Sequence, residues 1–117
     1  MILEERIYTL APGRARDYIA AVETLGLPVM RRVHGGLVGY FVPESGCLNQ
    51  VVHLWAYEDL ADRAARRARL DGDPQWQAFL ATVLPMLERM ENRFLKATSV
   101  APVTLEMIRA ANADLAG

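Results

Sequence analysis

The chain has 117 residues, enough for one domain and too few to cover all of its own apolar surface. Its 13 Lys and Arg against 14 Asp and Glu leave no basic excess to neutralise phosphates, which argues against nucleic acid as a partner. Apolar residues make up 52% of the sequence, rich for a small monomer and suggestive of a buried interface, yet no apolar run approaches the roughly 20 residues of a membrane span.

Met1 to Arg6 carries acidic residues where a secretory signal would have a basic start, and Cys47 is the only cysteine, so no intrachain disulfide forms. Both point to a reducing, cytoplasmic setting. Leu3 to Leu10 reads as a strand with Leu3, Ile7 and Thr9 on one side and Glu4, Arg6 and Tyr8 on the other. From Arg14 a helix is expected, since Ala15, Tyr18, Ile19, Val22 and Leu25 recur on one helical face. Gly26-Leu27-Pro28 should bend or break it, and His34-Gly35-Gly36 should end its continuation. Leu37 to Val42 predicts a second strand, Pro43 to Gly46 a turn, and Cys47 or Leu48 to Tyr57 a third strand, the last two strands forming an antiparallel hairpin.

Asp59 caps a helix from Leu60 to about Leu70, and Asp73-Pro74 opens the next, whose apolar stripe is Trp76, Phe79, Leu80, Val83 and Leu84. Pro85 should kink or end it, after which Asn92 to Val100 reads as the final strand, stopped at Ala101-Pro102. In the tail, Leu105, Ile108, Ala111 and Leu115 have helical spacing, which predicts a short helix over residues 101–117. The order is the ferredoxin-like βαββαβ pattern of an α+β protein, an antiparallel sheet with helices on one face. The central strands are apolar or aromatic on both faces. A second copy of the sheet is the simplest cover for the open one, which predicts a homodimer, a dimeric α+β barrel.

Several blocks resemble the NIPSNAP domain: Ile7 to Gly13, Gly26-Leu27-Pro28, His34 to Phe41 and above all Leu48 to Tyr57, then Asp59 to Arg63, Asp73 to Trp76 and Glu91-Asn92-Arg93. The resemblance covers about residues 2–100, so residues 1–100 are taken as one NIPSNAP-like domain, with the tail left outside. It implies membership of the dimeric α/β-barrel superfamily, which also holds cofactor-free monooxygenases, muconolactone-type isomerases and haem-degrading enzymes. It carries a fold more than a chemistry, because one fold hosts many functions.

The third strand holds the sharpest candidates, because Val51, His53, Trp55 and Tyr57 share a face, with Asn49 at its start. His53 has the pKa of a general base, and Trp55 and Tyr57 could wall a flat substrate. Asn49 could straddle a bound carbonyl with His53. The simpler readings are a structural histidine with its bonds satisfied across the sheet and an asparagine that closes a turn. Trp76 would roof a cleft between helices and sheet, and Tyr40, with Tyr8 and Tyr18, could turn its polar tip into it. Which of these side chains turn inward depends on the face that the helices cover.

His34 is assigned to capping at a helix end, and Cys47 has no flanking cation to tune it. Arg63, Arg66, Arg67 and Arg69 could clamp a carboxylate or phosphate, although a solvated helix face is the preferred reading. The histidine and cysteine spacing matches no metal signature, and no cofactor is expected. Two functions follow. One is a cleft for a small apolar organic molecule, with cofactor-independent monooxygenation or isomerisation if the protein is an enzyme. The alternative is a non-catalytic homodimeric protein-interaction module whose dimer seam consumes the face bearing His53.

Overall fold

The computed structural model describes residues 1–116, with side chains for residues 1–113, so Leu115 of the expected tail stripe lies outside the described side chains. Four strands, β1 (Ile2–Leu10), β2 (Leu37–Phe41), β3 (Gln50–Tyr57) and β4 (Leu87–Lys96), form one antiparallel sheet in the order β2-β3-β1-β4. This is the expected ferredoxin-like α+β arrangement, with β1 and β3 at the centre.

Register fixes the two faces. Glu4 lies opposite Trp55 and Phe94, Arg6 opposite His53 and Asn92, and Tyr40 opposite His53, so these side chains share one face. The helices cover this face: Tyr8, Leu10, Val51, Trp55 and Tyr57 pack with Tyr18, Val22, Val29, Met30, Leu70, Phe79 and Val83 in a single core. The other face carries Ile7, Val52, Leu54 and Phe41, and Phe41 is 52% exposed. Between Leu37 and Gly39 the register slips, so Val38 bulges out of the edge strand β2.

The first helical segment runs unbroken from residue 15 to residue 34: α1 (Ala15–Ala21), a π turn at Val22–Gly26, α2 (Leu27–Val29) and a second π turn at Met30–His34. Gly26-Leu27-Pro28 therefore does not break it. Pro28 has no N–H to give and sits in the first turn of α2, directly after a π turn whose wider loop leaves a carbonyl free of the usual repeat. Gly35 ends the segment at φ 74°, a left-handed conformation that glycine adopts without cost, and its N–H closes on the Met30 carbonyl at 2.9 Å.

Asp59 caps α3 (Leu60–Asp71) by accepting from the Asp62 N–H at 2.8 Å, and Asp73 caps α4 (Pro74–Val83) by accepting from the Gln75 N–H at 2.8 Å. Each cap contributes about 1 kcal/mol. A 3₁₀ turn at Leu84–Met86 containing Pro85 then passes straight into β4. The last strand thus runs Leu87–Lys96 and not Asn92 to Val100. Most of β4 is exposed as a sheet edge, so Glu88, Arg89 and Glu91 are tolerated within it. The tail forms α5 (Leu105–Ala116), tied to β2 by the Asn112 Nδ2 hydrogen bond to the Leu37 carbonyl at 2.9 Å. Among the described residues, no helix is long and apolar enough to cross a membrane.

Candidate functional site

Alternation along β3 turns His53, Trp55 and Tyr57 toward the helices, which settles the inward face. The homodimer seam expected to consume that row would have to use the opposite, aliphatic face. His53 is 2% exposed, stacked flat on Tyr40 with ring centres 4.4 Å apart and met edge-on by Tyr8 at 4.6 Å. The indole N–H of Trp55 donates to His53 Nδ1 at 2.7 Å. Indole can only donate, so Nδ1 is unprotonated and the ring hydrogen sits on Nε2. Burial, reinforced by the charge of Arg6, pushes the imidazole pKa down to about 3. His53 therefore presents a hydrogen, where its ordinary pKa suggested a base, and Nε2 has no protein partner.

Beside it lies a cavity of about 190 Å³. Tyr8, Tyr18, Tyr40, His53, Trp55 and Arg6 form its floor and near wall, and Trp76, Phe79, Leu80 and Val83 of α4 form its roof. Leu84 and Met90, about half exposed, stand at the mouth with Leu87. Trp76 Nε1 is a second buried donor without a partner. Arg67 of α3 also reaches the cavity, and among the described residues it makes no hydrogen bond or ion pair, while no carboxylate lines the space. Burial raises the pKa of both the Tyr18 and Tyr40 hydroxyls, so they stay neutral.

His53, Trp55, Tyr40 and Trp76 are thus brought together, as the sequence suggested. Tyr57 and Asn49 are not. Asn49 is exposed before β3 begins, and its Oδ1 accepts from the Gly13 N–H at 3.4 Å, pinning the turn after β1. Tyr57 belongs to a separate buried network. Gly36 N–H donates to His34 Nδ1 at 3.1 Å, which leaves the hydrogen on Nε2 to meet the Tyr57 hydroxyl at 2.8 Å; that hydroxyl in turn donates to Glu4 Oε1 at 3.4 Å.

Glu4, wholly buried, also accepts two bonds from Arg63 at 3.0 and 3.1 Å, one from Asn92 at 2.7 Å and one from Arg6 at 2.9 Å. Burial alone would raise its pKa, but Arg63, Asn92 and Arg6 outweigh burial and hold it at about 2. His34 is inside the protein and does not cap with its charge: burial and the nearby Arg66 and Arg67 push its pKa down to about 3. The carbonyl it leaves at the helix end is met by Arg66 Nη1. Gly36 is required here, because a Cβ would stand 2.5 Å from the Ala56 carbonyl and 3.2 Å from the His34 ring.

A wider groove of about 340 Å³ opens between the first helical segment, β2 and α5. Its lining is mostly aliphatic, and among the described residues its buried polar atom without a partner is Asn112 Oδ1. The smaller cavity is the chemically equipped one.

Residues 3–102 match the sequence model of the NIPSNAP family. The chain belongs to the NIPSNAP family. It is 33% identical over 91 residues to the human protein NipSnap homolog 3A, a match that covers 76% of this chain and 36% of that protein, and it spans 18% of a Caenorhabditis elegans relative. A NIPSNAP-like domain protein from Burkholderia xenovorans superposes with a TM-score of 0.83 at 48% identity, over 87% of this chain and 89% of that one. A NIPSNAP family protein of unknown function from Agrobacterium tumefaciens gives 0.84 at 40%, over 89% and 94%. A "putative antibiotic biosynthesis monooxygenase" from Nitrosomonas europaea, at 12% identity, TM-score 0.61 and coverage of 83% and 98%, shares the fold alone.

In this NIPSNAP chain, sequence reasoning missed Glu4 and Arg6 as buried groups and set Arg63 and Arg67 on a solvated helix face. The signal was present in part. Glu4, Arg6 and Tyr8 alternate on β1, and a strand at the centre of a sheet cannot leave that row in water.

Proposed function

We propose that this NIPSNAP chain holds a small, largely apolar organic molecule in the cavity between its sheet and helices, with the oxygen of that molecule accepting from His53 Nε2. The observation that carries the reading is that two residues lining one cavity, His53 and Trp76, each carry a buried N–H donor with no partner among the described residues. An unsatisfied buried donor costs about 1–3 kcal/mol, so an acceptor entering this space is strongly favoured. The aromatic walls fit a flat ring. If the site is catalytic, the chemistry is cofactor-free oxidation or isomerisation, in which the Nε2 hydrogen stabilises charge growing on an enolate oxygen.

Isothermal titration calorimetry with acetophenone, a single ring bearing a carbonyl, tests the reading. Saturable binding that Val83→Phe abolishes by filling the cavity, and that His53→Phe weakens about tenfold by removing one donor, is expected. Absence of saturable binding would overturn it.

Association is the second part of the reading, supported by the open sheet face of Ile7, Val52, Leu54 and Phe41. A homodimer joined through that face leaves the cavity intact, so ligand binding and an interaction role do not compete. The lone, exposed Cys47 fits a reducing cytoplasmic setting.

A further inference from the structure

We infer that the molecule held in this cavity is an anion, a single planar ring bearing a carboxylate or enolate oxygen that pairs with Arg67. The inference rests on the ligand-cavity reading above and adds its charge and its anchor. Among the described residues, two arginines, Arg6 and Arg67, line the cavity and no acid does. Arg6 is already neutralised: its Nη1 lies 2.9 Å from Glu4 and its Nε donates to the Tyr8 hydroxyl at 2.8 Å.

Arg67 differs from Arg63 and Arg66 on α3. Arg63 is spent on Glu4 and Arg66 on Asp62, whereas Arg67 has no partner among the described residues. A half-buried guanidinium beside an apolar cavity gives up part of its hydration and has no counter-ion among the described residues in exchange. An anion restores the balance, and the planar fork of Arg matches a carboxylate in a way that a point charge does not.

The unpartnered ring nitrogens agree in sign. Among the described residues, His53 Nε2 and Trp76 Nε1 are buried without a partner and both donate, so each asks for an acceptor. Size restricts the class further. A volume of about 190 Å³ admits one ring with a small substituent, since a cavity of roughly 150 Å³ accommodates benzene.

Calorimetry with benzoate beside acetophenone, two probes of nearly equal shape that differ in charge, decides the matter. Benzoate should bind at least tenfold more tightly and lose affinity as salt is raised. Arg67→Gln should remove that preference, lowering benzoate affinity at least tenfold and that of uncharged acetophenone far less, and Arg67→Lys, which keeps the charge, should retain part of it. Equal affinity for the two probes, or a benzoate preference that survives Arg67→Gln, overturns the anion inference and leaves the cavity reading standing. If neither probe binds, both fall.

Discussion

Mild acid should destabilise this protein well before its carboxylates titrate. The chain has two histidines, His34 and His53, both buried and both held neutral with a pKa pushed down to about 3. In the unfolded chain each returns to about 6.5. The unfolded state therefore binds protons that the native state refuses, and stability falls as pH falls. The histidine contribution is complete above about pH 6.5 and is lost progressively toward about pH 3. At about pH 5 each has lost roughly 1.5 units at 1.36 kcal/mol per unit, about 2 kcal/mol, so the pair removes about 4 kcal/mol. That is a large part of the roughly 5–15 kcal/mol typical of a whole domain. Glu4, held at about 2, adds its own loss only below its ordinary value of 4.5. Urea denaturation at fixed protein concentration between about pH 7.5 and 5 measures this directly, with a limiting slope near 2.7 kcal/mol per pH unit. His53→Gln and His34→Gln should each halve the slope. A stability flat to within about 1 kcal/mol over that range, or an imidazole seen by NMR to titrate near 6.5, would refute the reasoning.

Trp55→Phe removes the donor that occupies His53 Nδ1 and should raise the His53 pKa, read by NMR titration; an unchanged value would mean burial and the charge of Arg6 suffice to hold it down. Glu4→Gln leaves Arg6 and Arg63 without their buried counter-charge and should cost about 3–5 kcal/mol in denaturant titration. Gly36→Ala forces a Cβ against the Ala56 carbonyl and should cost at least about 2 kcal/mol while loosening the His34 ring, visible as broadened imidazole signals. Phe41→Asp places a charge on the open sheet face and should shift the sedimentation coefficient toward the monomer without altering acetophenone binding.

The architecture was legible because it rests on periodicity. The aromatic row of β3, the Asp59 and Asp73 caps and the Trp76 to Val83 stripe each follow from spacing within one element. β4 was misplaced because an exposed edge strand has no apolar alternation to announce it: Glu88, Arg89 and Glu91 look like loop. The cavity was half legible. His53, Trp55, Tyr40 and Trp76 were named because aromatic rings on inward faces are local signals. Asn49 was misjudged by extending the strand period one residue beyond the strand. Glu4 went unrecognised, and Arg63 and Arg67 were named together as a possible anion clamp without being told apart, because their meaning is pairwise across the fold. Arg63 and Arg67 differ by one helical turn, yet one is consumed by Glu4 and the other is not, and only tertiary contact separates them.

The two π turns in the first helical segment also bear on how its length can vary. A π turn holds one residue more than an α turn and confines the surplus to itself, so the helix on either side keeps its facing. A chain one residue shorter within Val22–Gly26 would reach His34 through an ordinary turn, with Tyr18 and Met30 still pointing into the core. Insertions and deletions in proteins of this fold should therefore gather at this segment, while the bend at Gly35-Gly36 that seats the buried imidazole stays the same length.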